Sequence, residues 1–140
     1  LADARQLFAP RLGVARIGFE EDVPAVAVDV DPQRLALALA NLVFNAADAM
    51  AGGARRQLRL HAALDGHEVR LHVDDSGPGV AADVLPHLFE PFFTTKPAGQ
   101  GLGLGLALSA ESLAAMRGRI EATNRAEGGA RFTIVLPAAA

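Results

Sequence analysis

The chain has 140 residues, of which 51% are hydrophobic and 21% charged, with a net charge of −3 and no Cys, Trp or Tyr. That length closes a single core, and the balance belongs to a folded domain rather than a disordered one. The acidic surplus argues against general nucleic-acid binding, disulfides and thiolate metal sites are excluded, and no apolar run reaches the ~18 residues that a membrane helix needs.

Leu1 opens in mid-pattern without an initiator Met, so the chain reads as a piece of something longer, with any membrane segment outside it. Residues 1 to 12 read as a short helix. Arg16 to Phe19 and Ala25 to Asp29 read as a hairpin turning at Glu20-Glu21-Asp22. Asp31-Pro32 is a helix start, with an N-cap carboxylate and then proline at the first helical position. That helix is predicted to run to about Met50 and to end at Gly52-Gly53.

Strands are predicted at Gln57 to Leu64 and Glu68 to Asp74, joined by the hairpin signal Asp65-Gly66. A glycine-bearing segment follows, then a helix from about Leu102 to Arg117 stopped by Gly118. Two strands, Arg119 to Asn124 and Ala130 to Leu136, close the chain across Gly128-Gly129. Hairpin-paired strands with helices inserted between the pairs predict an α/β two-layer sandwich, a mixed sheet with helices on one face, as a single domain over 1–140. A doubly wound sheet is not expected.

The long helix carries the first chemistry. At about 100° per residue, Leu35, Leu39, Leu42, Ala46, Ala49 and Met50 share one broad face suited to pack on a sheet. Asn41, Asn45 and Asp48 form a separate polar stripe, bordered by Leu37 and Phe44. Such amides are satisfied locally, exposed, or serve as oxygen ligands for a hard cation such as Mg²⁺, which takes few protein oxygens and several from water and phosphate.

Two glycine turns follow, DDSGPG at 74–79 and GQGLGLGLAL at 99–108, with FEPFFTTK between them. The first is a plain turn, or a place where the Asp75 carboxylate accepts from an exocyclic amine while Gly77 and Gly79 let backbone approach a ring. In the middle segment at least two of Phe89, Phe92 and Phe93 read as a small satellite core under a loop, and Lys96, the chain's only lysine, is either placed there by chance or suits a phosphate reached by a moving loop. The second turn leads into a helix whose first amides would face an anion. It is neither a Walker A loop nor a GxGxxG fingerprint.

In this order NLVFNAADAM, DDSGPG, FEPFFTTK and GQGLGLGLAL resemble the N, G1, F and G2 boxes of the ATP-binding catalytic domain of sensor histidine kinases, in the gyrase, Hsp90, histidine kinase and MutL superfamily. The closing GGARFTIVLP looks like that family's last strand, and the wording is most similar to nitrogen-regulation and C4-dicarboxylate sensor kinases.

The resemblance implies a Bergerat fold with a mobile ATP lid at about 76–104, and binding of ATP, ADP and Mg²⁺. It implies Asn45 as the Mg²⁺ ligand with Asn41 one turn before it, and Asp75 on the adenine amino group beside Gly77, Gly79 and Val80. Asp48 and Ala49 would stand at the nucleotide. Lys96 and Gly101, Leu102, Gly103, Leu104 and Gly105 would hold the phosphates, and Thr133 would face adenine.

Two departures stand out. Asp48 occupies a place where many members carry a basic residue, and Asn41 occupies the place of the glutamate base in the ATPase branches. An amide takes no proton from water, so fast intrinsic hydrolysis is not expected.

The implied activity is transfer of the γ-phosphoryl group to a histidine on a separate dimerisation domain, with a response regulator downstream. The implied setting is a cytoplasmic portion of a homodimeric, membrane-anchored sensor with no nucleic-acid partner. His61, His67 and His72 read as hairpin side chains and His87 as a lid residue, so the acceptor is expected elsewhere. The competing readings are an ATPase acting as a conformational switch and a degenerate nucleotide-binding regulator.

Overall fold

A computed structural model of the chain describes residues 2–14, 16–22, 30–51, 53, 55–91 and 105–138. In chain order they form α1 (Ala2–Val14), β1 (Gly18–Asp22), α2 (Pro32–Met50), β2 (Gln57–Asp65), β3 (Glu68–Asp75), a single 3₁₀ turn (Leu85–His87), α3 (Gly105–Ala114), β4 (Arg119–Asn124) and β5 (Ala130–Pro137). The strands make one sheet in the order β1-β2-β3-β5-β4. The β1–β2 pair is parallel and the other three are antiparallel, so the sheet is mixed as expected.

Strand alternation builds the core. Leu58 and Leu60 of β2, Leu71 and Val73 of β3, and Phe132, Ile134 and Leu136 of β5 are buried against Leu39, Leu42, Val43 and Ala46 of α2, with Phe8 of α1 and Leu113 of α3. The predicted helical face therefore holds, apart from Ala49, which is exposed at the end of α2. The other face of the sheet is polar. Residues directly opposite across a ladder share a face, and His61, His72, Thr133 and Glu121 fall in one such row.

Local signals set several boundaries. Asp31 Oδ1 accepts from the Gln33 and Arg34 amides at 2.9 and 3.4 Å, and Pro32 opens α2. Gly66 has φ +63° in the turn between β2 and β3.

Three expectations change. The hairpin at Glu20-Glu21-Asp22 does not form: these acids lie within β1, which pairs in parallel with Gln57 to His61 of β2. Its proposed second strand, Ala25 to Asp29, lies outside the described residues. Pairing with β2 overrides the turn propensity of the acids, and Arg59 lies 3.9 Å from Glu20 and 4.0 Å from Asp22. Next, α1 continues to Val14 through Pro10 rather than stopping near residue 12.

Finally, α3 ends at Ala114, and the left-handed position after it is Arg117, with φ +61°. Gly118 is needed for a different reason. A Cβ there would stand 2.7 Å from the Val135 carbonyl oxygen.

Candidate functional site

β3 ends in two buried carboxylates with opposite fates, because successive side chains point to opposite faces. Asp74 faces the polar side. Arg131 grips it through Nε at 2.7 Å and Nη2 at 2.8 Å, and His61 Nε2 stands 2.8 Å from its Oδ2. Burial alone would raise its pKa, but the Arg131 and His61 bonds outweigh burial and hold the carboxyl below its ordinary value. Asp74 is thus a structural ion pair.

Asp75 lies on the helix side, 2% exposed. Its Oδ1 accepts from the Gly77 amide at 2.9 Å and the Ala130 amide at 3.2 Å. Among the described residues nothing donates to Oδ2. Burial pushes its pKa up, opposed by those two amides and by the nearby Arg125. A carboxylate fixed by backbone on one oxygen with the other unbonded is a preset acceptor for an N–H of a ligand.

The turn after Asp75 is shaped around it. A Cβ on Gly77 would meet Asp75 Oδ1 at 3.1 Å and the Ala49 carbonyl oxygen at 3.4 Å, so glycine lets the turn pass between Asp75 and the end of α2. Gly79 has φ +80°. Between this turn and the C-terminal end of α2 lies a cavity of about 480 Å³, bordered by Ala49, Met50, Arg55, Ser76, Gly77 and Pro78. Asp75 and Asn45 are not among the residues that border it.

Val80 is clamped from β4. Asn124 Oδ1 accepts from its amide and Asn124 Nδ2 donates to its carbonyl oxygen, both at 2.7 Å. Asn124→Ala is expected to cost about 1–2 kcal/mol and to speed hydrogen exchange at the Val80 amide. Unchanged exchange at Val80 would show that the clamp does not hold this turn.

The polar stripe of α2 meets α3 at Asn41 and α1 at Asp48. Asn41 Nδ2 donates to the buried Ser109 Oγ at 3.0 Å, which draws the amide stripe to the helix that follows the second glycine turn. Asn45 is half-buried, and among the described residues nothing bonds to its amide. Asp48 meets the Arg11 guanidinium of α1.

Of the remaining expected residues, Gly105 opens α3, while Lys96, Gly101, Leu102, Gly103 and Leu104 lie outside the described residues, as do Phe92 and Phe93. Phe89 packs edge-on to Phe132 with ring centroids 6.4 Å apart.

Thr133 does not face the Asp75 side. Its hydroxyl is 2.8 Å from His72 Nδ1 on the polar face, because β5 alternation sends Phe132 and Ile134 to the helices and Thr133 away from them. The β5 residue that touches Asp75 is Ala130, through its amide. Sequence reading missed it because the contact is made by backbone. Asn124 was missed because its partner lies 44 positions away.

Residues 30–140 match the family described as histidine kinase-, DNA gyrase B- and HSP90-like ATPase. The C4-dicarboxylate transport sensor protein DctB of Pseudomonas aeruginosa is 43% identical over 133 residues, 93% of this chain and 22% of that protein. The sensor protein FixL of Bradyrhizobium diazoefficiens is 40% identical over 141 residues, 99% of this chain and 27% of that protein. The chain thus spans about a quarter of the length of these curated relatives. Among solved structures, the catalytic domain of histidine kinase ThkA superposes with a TM-score of 0.83 at 28% identity, covering 97% of this chain and 90% of that one.

The five-stranded mixed sheet, the helix layer and the match over 30–140 agree, and the chain belongs to the family of histidine kinase-, DNA gyrase B- and HSP90-like ATPases.

Proposed function

We propose that this chain binds ATP with Mg²⁺ and acts as the catalytic domain that hands the γ-phosphoryl group to a histidine on a separate dimerisation domain of a two-component sensor. The observation that carries the reading is Asp75, buried, tethered through Oδ1 to the Gly77 and Ala130 amides, and able to accept the adenine amino group on Oδ2.

Asn45 fits as the cation ligand. It is a partly buried amide without a protein partner among the described residues, so its oxygen is open to a ligand or to water. Among the described residues no cluster of three or more His, Cys, Asp or Glu could hold a metal. One amide oxygen completed by water and phosphate oxygens matches the habit of Mg²⁺. When bound, the cation would neutralise charge on the phosphates. Lys96 and the 101–105 run would hold the phosphates from the other side.

In the transfer, the bond from the γ-phosphorus to the β–γ bridging oxygen breaks, a bond from an acceptor imidazole nitrogen to that phosphorus forms, and ADP leaves. The chain supplies positioning and charge stabilisation. Asn41, bonded to Ser109, provides no base for water, which weighs against a conformational-switch ATPase. The proton of the acceptor would pass to a group on the partner domain.

The setting follows from the same reading: a cytoplasmic domain of a homodimeric, membrane-anchored sensor with a response regulator downstream. Among the described residues no helix is long and apolar enough to cross a membrane.

Calorimetry of the chain with Mg·ATP is expected to give micromolar affinity, about −8 kcal/mol, and adding a dimerisation domain from a related sensor kinase is expected to yield acid-labile phosphohistidine. Steady ATP turnover without that domain would favour the switch ATPase. Tight ADP binding without transfer would favour a regulatory module.

A further inference from the structure

α1 brings a guanidinium to the polar stripe of α2. Arg11, in the last turn of α1, donates through Nη2 to Oδ1 of Asp48, and its Cζ lies 4.9 Å from the centroid of the Phe44 ring. Phe44 and Asp48 are one helical turn apart, so the two contacts fix the guanidinium along the stripe that also carries Asn41 and Asn45. The side chains of Arg11 and Asp48 are 47% and 33% exposed, so the pair stands at the surface rather than in the core.

Stability does not account for such a pair, since exposed ion pairs contribute about 0–1 kcal/mol. Ligand charge does. A triphosphate with one divalent cation remains anionic, and the Asp48 carboxylate, one turn from Asn45, adds a like charge to that stripe. Arg11 cancels that charge. A guanidinium has several N–H donors in a fixed fork, and among the described residues Asp48 is the one acceptor that Arg11 meets. The remaining donors are aimed by the carboxylate on one side and the ring on the other, a pre-organised arrangement for phosphate oxygens.

We propose that Arg11 is a phosphate-binding residue of the nucleotide site, supplied by α1 and oriented by Asp48 and Phe44. It takes the part of a cation that α2 itself lacks on this stripe. The inference rests on the reading of the site as one for Mg·ATP.

The test compares Mg·ATP with adenosine, by calorimetry on the 140-residue chain. Arg11→Ala is expected to weaken Mg·ATP about tenfold and to leave adenosine affinity unchanged, which also shows that the variant is folded. Arg11→Lys is expected to keep part of the affinity.

The double variant Arg11→Ala with Asp48→Asn separates binding from mere charge cancellation. Removing both charges restores no donor, so the double variant is expected to remain weak for Mg·ATP. Full recovery in the double variant, wild-type Mg·ATP affinity in Arg11→Ala, or an equal loss for adenosine would each overturn the proposal. If the wild type itself binds no Mg·ATP, the reading of the site falls together with this inference. If the wild type and Arg11→Ala bind it equally, this inference alone falls.

Discussion

Asp75→Asn is expected to lower Mg·ATP affinity about a hundredfold, ~2.7 kcal/mol, while the domain stays folded. The substitution keeps the shape and one oxygen. With the amide oxygen in the Oδ1 place, the Gly77 and Ala130 amides keep their acceptor. The Nδ2 group then stands where the unbonded carboxylate oxygen was, so the exocyclic amine of adenine meets a donor instead of an acceptor. A buried donor facing a donor forfeits the bond and the desolvation of both groups.

Stability is expected to move the other way. Burial raises the folded-state pKa of Asp75 above its ordinary value. A raised carboxyl pKa means that the folded state holds the proton more tightly, so the stabilising protonated form is present at low pH and lost as pH rises through the folded pKa. Above its folded pKa the wild type carries the penalty of a buried charge, and the neutral amide does not. Thermal denaturation at neutral pH is expected to give Asp75→Asn a Tm no lower than that of the wild type. Unchanged Mg·ATP affinity in a folded Asp75→Asn would remove adenine recognition from the proposed function.

Gly129→Ala is expected to be the most damaging single methyl addition in the β4–β5 turn, costing about 4 kcal/mol or more. Gly129 has φ +86°, in the left-handed region that costs a side-chain-bearing residue about 1–2 kcal/mol. The added Cβ would also fall inside the contact distance of the Asp75 carbonyl oxygen and stand 3.2 Å from its Oδ1. Backbone cannot swing away there, because Arg125 Nη1 donates to that same carbonyl at 2.9 Å and the Ala130 amide is bonded to the carboxylate.

The two damages are coupled, so urea denaturation and nucleotide binding are both expected to suffer. Gly128→Ala is the control: φ is +101°, but nothing lies within 4 Å of its Cβ position, so the strain term acts without the clash. Equal losses at 128 and 129 would show that the close approach to Asp75 contributes nothing.

The amino-acid sequence by itself determined the elements that rest on local or periodic signals. Asp31-Pro32 capped α2 because a carboxylate two residues ahead of an amide needs no distant partner. Asp65-Gly66 turned β2 into β3, and the apolar face of α2 found the sheet because 3.6-residue periodicity is a property of the chain alone. The position of Asp75, at the end of an alternating strand before a glycine turn, was legible locally, while its role came only from the family resemblance.

Contacts between distant segments were decided only by the tertiary structure. Parallel pairing drew Glu20, Glu21 and Asp22 into β1 against their own turn preference. Strand alternation, once β5 was paired with β3, put Thr133 beside His72 and left Ala130 to hold Asp75. Arg11 reached Asp48 across 37 positions and Asn124 reached Val80 across 44. No local pattern marks such pairs, because their energy arises only after the helix layer and the sheet have brought the two segments together.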